Sequence, residues 1–227
     1  QSKAGAGKVK IVVFEAEEWE KEACAVLQPG HELVCTPAPL TSENAAEYGD
    51  AQIVTVFVNS RVDADVLSAL KQLRFIATRS TGYDHIDLEH CRRAAIVVAN
   101  VPSYGDVTVA EHVFALLLGL ARNLVPTVEG LRAGRFDQAD LRGFDLYGKT
   151  IGVVGTGRIG RHVIEIAKGF GMAVLAYDLA PDHRLSEQRG FHYVPLETLL
   201  RTADVVTLHV PAMAGTKNLI GEAELAM

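Results

Sequence analysis

The sequence predicts an α/β protein with two parallel-sheet domains, one in each half of the chain. Two observations carry that prediction. Short apolar runs alternate with segments of helical spacing along almost the whole length, which is the pattern of strands joined by crossover helices. In addition, residues 151–160 join a dense apolar run to a helical segment through three glycines. With 227 residues, 48% of them hydrophobic, the chain has enough apolar material for two modest cores.

Taken in order, residues 1–8 are small and polar and read as a flexible leader. Their Gly5-Ala-Gly-Lys8 piece lacks both the earlier glycine and the following Ser/Thr of a phosphate-binding loop. Residues 9–14 form a dense apolar strand. Residues 17–27 then place Trp19, Ala23, Val26 and Leu27 on one helical face. A second strand is expected over 32–35, and after the break at Pro37 and Pro39 a helix over 41–48. Strands over 53–58, 74–78 and 96–99 alternate with helices over 63–70 and 87–93, the first of these turning Val66, Leu67 and Leu70 inward. This completes a flavodoxin-like parallel-sheet domain over residues 9–103.

Residues 106–123 are apolar on nearly every side, with Val109, Val113, Phe114, Leu116, Leu117, Leu118 and Leu120. Such a helix is expected to be buried between domains or at a subunit contact. Pro126 is expected to end it, with a connecting segment over 127–149. The helix opens a second domain, 104–227.

Within that domain the glycine run reads as a buried strand turning into a helix, with Ile159, Val163, Ile166 and Phe170 at helical spacing. A second strand over 172–177 ends in Asp178, about 20 residues beyond the glycines, where a ribose-binding carboxylate belongs. Gly155, Gly157 and Gly160 would let backbone N–H groups approach a pyrophosphate at the positive end of a helix dipole. Strand, helix and strand follow over 191–194, 196–200 and 205–208, and another helix begins at 222. Only four strands are visible where a doubly wound dinucleotide fold usually has six, so the Rossmann domain is expected to be incomplete.

Ligands of open parallel sheets gather beyond the carboxyl ends of the strands, which singles out three further stretches. Residues 79–85 could hold a small anion on the N–H groups of Thr81 and Gly82, or could be an ordinary turn capped by Ser80 and Asp84. Residues 100–108 carry Tyr104 and Thr108, and Thr108-x-x-Glu111 also fits a capping box. His209-Val210-Pro211 with Thr216 closes the fourth strand, where His209 could equally be a strand-end polar residue.

The remaining chemistry is narrowed by what the composition disfavours. A net charge of −6 without a dense Lys/Arg run argues against a nucleic-acid surface. Cys24, Cys35 and Cys91 are odd in number and widely spaced, which suits a reducing cytoplasm, and no apolar run is long enough for a membrane span. The histidines do not fall at metal-ligand spacing, and no Gly-x-Ser-x-Gly elbow is present.

Four blocks together resemble the D-isomer-specific 2-hydroxyacid dehydrogenases, especially their D-lactate dehydrogenase-like branch. They are Ser80-Thr-Gly-Tyr-Asp-His-Ile-Asp87, Asn100-Val-Pro-Ser-Tyr-Gly105 with Val109-Ala-Glu-His112, Val154-Gly-Thr-Gly-Arg-Ile-Gly160, and Leu208-His-Val-Pro211. The resemblance spans about residues 9–227. It implies NAD held across a cleft between two domains, a small 2-oxo or D-2-hydroxy acid as substrate, and a homodimer. It implies that Gly155, Gly157 and Gly160 hold the turn, that Arg158 and Ile159 meet the pyrophosphate, and that Asp178 takes the ribose hydroxyls and favours NAD over NADP. His209, Val210, Pro211 and Thr216 would belong to the cofactor site, with Val210, Pro211 and Thr216 on the adenosine side, and Thr108 would approach the nicotinamide. Thr81 and Gly82 would bind the substrate carboxylate, with Tyr104 at the substrate wall. The family's catalytic Arg, Glu and His belong to segments after residue 227, so no catalytic residue is assigned within the chain. It is expected to be a truncated form without turnover. The alternative is a catalytically silent NAD-sensing or interaction module.

Overall fold

A computed structural model describes residues 7–135, 141–213 and 215–227. The expected leader lies outside the described residues except for Gly7 and Lys8. The chain divides into two compact units, Gln1–Tyr104 and Gly105–Met227.

The first unit runs β1 (Lys10–Val13), α1 (Glu18–Cys24), β2 (Glu32–Cys35), β3 (Ile53–Val56), α2 (Ala64–Ala69), β4 (Phe75–Thr78), α3 (Leu88–Arg93) and β5 (Val97–Ala99). All neighbouring strands are parallel, in the order β2-β1-β3-β4-β5. This is the flavodoxin-like order expected from the sequence. Val12, Phe14, Val54, Val56 and Ile76 meet Val66, Leu67 and Leu70 of the α2 region in one core. Asp63 and Asp87 stand just ahead of α2 and α3, where their carboxylates accept N–H bonds from Val66 and His90.

Helix α1 corrects an expectation. It is shorter than 17–27, passing into a 3-10 turn over Ala25–Leu27, and it buries no residue. Trp19 and Val26 are 64% and 78% exposed, so the apolar spacing did not mark an inward face. A polar anchor is used instead: the Glu20 carboxylate meets the Arg79 guanidinium at 2.8 Å. The expected helix over 41–48 is likewise reduced to a 3-10 turn, Ala45–Tyr48.

The second unit opens with α4 (Asp106–Ala121) and α5 (Leu124–Arg132), followed by β6 (Thr150–Val154), α6 (Arg158–Gly169), β7 (Ala173–Tyr177), α7 (His183–Arg189), β8 (His192–Tyr193), α8 (Leu196–Thr202), β9 (Val205–Leu208) and α9 (Glu222–Leu225). Among the described residues its sheet has four parallel strands in the order β8-β7-β6-β9, the number expected. Val163, Ile164 and Ala167 of α6 are buried with Ile151, Val153, Val174 and Ala176 of the sheet.

Pro126 does not end the helical region. The chain bends at Asn123, which takes a left-handed φ of 48°, and restarts as α5 with Pro126 in its first turn. A proline is tolerated there because first-turn N–H groups have no intrahelical acceptor. The expected connecting segment is therefore helical as far as Arg132, while residues 136–140 of it lie outside the described residues. Helix α4 is buried on one face only within its unit: Ala110, Phe114, Leu117 and Ala121 pack inward, with Phe114 stacked on Phe170 at 5.3 Å. Leu116 and Leu120 of the same helix are 57% and 74% exposed. Among the described residues no single helix is long and apolar enough to cross a membrane. Helix α7 was not anticipated, although Asp182 caps its start through Leu185 N–H and Gly190, at φ 63°, closes its end.

Candidate functional site

In the second sheet the strand order reverses between β6 and β9, and the glycine turn leaves β6 at that crevice. The three glycines meet different constraints. Gly155 takes φ +93°, and a Cβ there would lie 2.8 Å from the backbone carbon and oxygen of His209. A Cβ on Gly160 would collide with the carbonyl oxygen of Gly155, so this glycine permits the close seating of α6 on β6. A Cβ on Gly157 would meet nothing within 4 Å. The fold thus requires the first and third glycines, while the second, with open space at its Cβ position, is the N-cap of α6, whose first-turn N–H groups lack intrahelical acceptors. Arg158 and Ile159 occupy that turn. The Arg158 guanidinium is 61% exposed and lies 4.0 Å from the Asp106 carboxylate. This arrangement can accept a pyrophosphate.

Asp178 follows β7. Its Oδ2 accepts from Thr156 N at 2.7 Å and Thr156 Oγ1 at 2.9 Å, and its Oδ1 from Ala180 N at 3.0 Å. Burial pushes its carboxyl up, but the hydrogen bonds from Ala180, Thr156 and Leu179 outweigh it and hold the group below the usual carboxylate range. It is an ionised acceptor beside the glycine turn. Sequence spacing singled out Asp178 but not the residues it is bonded through, Thr156, which is 4% exposed, and Tyr193, whose Oη lies 2.8 Å from Thr156 Oγ1.

His209 donates its backbone N–H to Val154 O at 2.7 Å and places Nε2 2.9 Å from Thr207 Oγ1. Burial lowers its pKa. Val210 is beside Gly155, 3.0 Å from where its Cβ would stand. Thr216 closes the loop that begins at Pro211: its hydroxyl accepts from Met213 N at 3.1 Å and donates to Pro211 O. Together, Gly155, His209 and Val210 bring the ends of β6 and β9 against one another.

In the first unit, Thr81 and Gly82 lie in the loop after β4. All three carbonyls of residues 80–82 have partners. Ser80 O accepts from Val101 N at 3.1 Å, Thr81 O from Asn100 Nδ2 at 2.8 Å, and Gly82 O from Ser80 Oγ at 2.6 Å. The Thr81 hydroxyl is turned to Val101 O at 3.0 Å. Among the described residues no acceptor takes the N–H groups of Thr81 or Gly82. The loop therefore turns two backbone donors outward beside the Asp84 carboxylate, whose Oδ1 lies 3.1 Å from where a Cβ on Gly82 would stand, and such a donor pair can take a small anion. The expected capping of this turn by Ser80 is present in its bond to Gly82 O, whereas Asn100 was missed as a residue that orients the loop; a short polar side chain just after the adjacent strand was the available signal. Tyr104, at the end of this unit, is 59% exposed. Thr108 is exposed on α4, and it caps nothing: the helix starts two residues earlier, after Gly105, so the capping-box alternative fails.

The first sheet has its own reversal point, between β1 and β3, and there three N–H groups are already occupied. Glu15, at φ 52°, places its carboxylate against the N–H groups of Phe57 (2.9 Å), Asn59 (2.8 Å) and Ser60 (3.1 Å) and against the Ser60 hydroxyl. Arg79 ties the same end together, donating to Glu20, Thr55 Oγ1, Phe14 O and Glu15 O.

Residues 114–227 match the model of the D-isomer specific 2-hydroxyacid dehydrogenase NAD binding domain. Over the longer chain, 2-hydroxyacid dehydrogenase homolog 2 of Schizosaccharomyces pombe is 35% identical, covering 96% of this chain and 67% of the relative. D-lactate dehydrogenase kk1H of Curvularia clavata is 38% identical, covering 94% and 63%. The structure of D-lactate dehydrogenase from Aquifex aeolicus complexed with NAD and lactic acid superposes with a TM-score of 0.89 at 31% identity, covering 95% of this chain and 65% of that one. The chain thus spans about two thirds of the length of these relatives.

Proposed function

Because this chain belongs to the D-isomer specific 2-hydroxyacid dehydrogenase family, we propose that it supplies the cofactor site and the substrate-carboxylate loop of an oxidoreductase acting on a small D-2-hydroxy acid or its 2-oxo partner. Its cofactor is NAD. The observation that carries the reading is the open space at Gly157 between two glycines the fold itself needs. Gly155, Gly157, Gly160, Arg158 and Ile159 would hold the pyrophosphate, and Asp178 the adenosine ribose. His209, Val210, Pro211 and Thr216 would flank the adenosine side, and Thr108 the nicotinamide. When bound, NAD supplies or accepts the hydride. The chain's own contribution is to orient: the unpartnered N–H groups of Thr81 and Gly82 would fix the substrate carboxylate, with Tyr104 along the substrate wall.

No residue between 9 and 227 is assigned the family's carboxylate-clamping Arg or its Glu/His proton-transfer pair, so we propose cofactor binding without turnover for this stretch by itself. Titrating NADH into the chain, followed by nicotinamide fluorescence, should give saturable binding and no 2-oxo-acid-dependent oxidation at 340 nm. Absence of binding at millimolar NADH would contradict the cofactor reading.

We also propose a cytoplasmic homodimer. The three unpaired cysteines suit the compartment, and exposed Leu116 and Leu120 of α4 with Leu124 and Val125 of α5 line one apolar surface suited to a second copy. Sedimentation equilibrium should return twice the 24.5 kDa chain mass, and Leu120→Glu should return the monomer; a monomeric parent would contradict it.

A further inference from the structure

Behind Asp178 stands a relay of two hydroxyls whose polarity can be assigned by counting protons. Thr156 Oγ1 lies 2.9 Å from Asp178 Oδ2 and 2.8 Å from Tyr193 Oη. An ionised carboxylate only accepts, and a threonine hydroxyl has one proton to give. That proton goes to Asp178, so the phenol must be the donor in the bond between Tyr193 and Thr156. The direction is fixed: Tyr193 to Thr156 to Asp178.

Two consequences follow. The carboxylate is held in one orientation, with Oδ2 gripped by both Thr156 donors and Oδ1 by Ala180 N. Meanwhile neither hydroxyl has a proton left for an incoming ligand. A ribose diol brings its own donors to such a site. A 2′-phosphate brings acceptors and negative charge, and would meet a carboxylate whose supporting hydroxyls have no proton to give it. Tyr193 is also seated independently of the relay: its ring makes edge contacts with Phe191 at 5.2 Å and His183 at 5.7 Å. Removing its hydroxyl should leave the ring in place.

We propose that Tyr193 and Thr156 are positioning residues that set the choice of NAD over NADP, by fixing Asp178 as an oriented acceptor and by withholding hydroxyl protons from a 2′-phosphate. The inference rests on the reading of Asp178 as the ribose carboxylate.

The test is a fluorescence titration of NADH and NADPH into the 227-residue chain and into Asp178→Ala, Tyr193→Phe, Thr156→Val and Thr156→Ser. Asp178→Ala should largely erase the preference for NADH. Loss of one relay hydrogen bond in Tyr193→Phe should reduce the preference by about 3–10-fold, with the thermal melt still cooperative. Thr156→Val should do the same or more, and Thr156→Ser, which keeps the hydroxyl, should restore the parent ratio. If Asp178→Ala relaxes the preference while Tyr193→Phe and Thr156→Val leave it unchanged, the relay is overturned and the cofactor reading stands. If Asp178→Ala also changes nothing, or the parent chain binds no NADH, both are overturned.

Discussion

Just beyond β1 the chain passes through Glu15, and just beyond β6 through Gly155. Both take positive φ, 52° and 93°, and both stand where the strand order of their sheet reverses. Crevices of this kind gather backbone N–H groups and are the usual ligand sites of parallel sheets. In the first unit Glu15 fills the crevice with its own carboxylate, and burial there is outweighed by bonds from Ser60, Phe57 and Asn59 that hold its pKa below the usual range. In the second unit glycine adds no side chain, and the space at Gly157 stays open. The same topology is therefore self-satisfied in one sheet and available to a ligand in the other. Among the described residues of the first unit, the N–H groups without an acceptor include those of Thr81 and Gly82, after β4.

The largest expected effect comes from emptying the closed crevice. Glu15→Ala leaves three backbone N–H groups and the Ser60 hydroxyl without their acceptor, and should cost about 3 kcal/mol in urea unfolding while leaving NADH affinity intact. A loss below about 1 kcal/mol would mean that water replaces the carboxylate at little cost, and the contrast would weaken.

Gly155→Ala should come next. It combines an unfavourable φ with a clash against the His209 backbone, and about 2 kcal/mol is expected by the same unfolding measurement. Tolerance of alanine there would show that the second crevice is less tightly built than its geometry indicates.

A smaller effect is expected from pH. Burial lowers the pKa of His85, against the opposing pull of Asp84 and Glu15, and that of His209. The folded state thus binds fewer protons than the unfolded state below the ordinary histidine value of 6.5. Stability from both groups is present above that pH and is lost as pH falls through it. Glu15 and Asp178, with depressed carboxyl pKa values, add a further loss as pH falls through and below the usual carboxylate range. Urea midpoints should be level above about pH 7 and decline in two stages below it; a midpoint that rises on acidification to pH 5 would reverse the assignment.

These regions also differ in how far the sequence reveals them. The glycine turn was legible because backbone conformation and close approach demand a residue without Cβ, and Asp178 because strand length and turn length fix its distance from the glycines. The alternation of strands and helices was legible for the same local reason. Glu15 was not, since nothing local distinguishes a carboxylate that will fold back onto N–H groups more than 40 residues later. The relay was hidden likewise, because Thr156 and Tyr193 are 37 residues apart and meet only through the sheet. Spacing misled at α1, where Glu20 rather than an apolar face makes the anchor, and at Pro126, whose position in a first turn depends on the bend at Asn123.

The smallest effect on the fold and the largest on the ligand should coincide at Gly157. NADH titration of Gly157→Val beside the parent chain, each with a thermal melt, tests the open crevice directly. The open-space reading predicts an unchanged melt and NADH affinity reduced by about tenfold or more. Parental affinity in a well-folded Gly157→Val chain would contradict it.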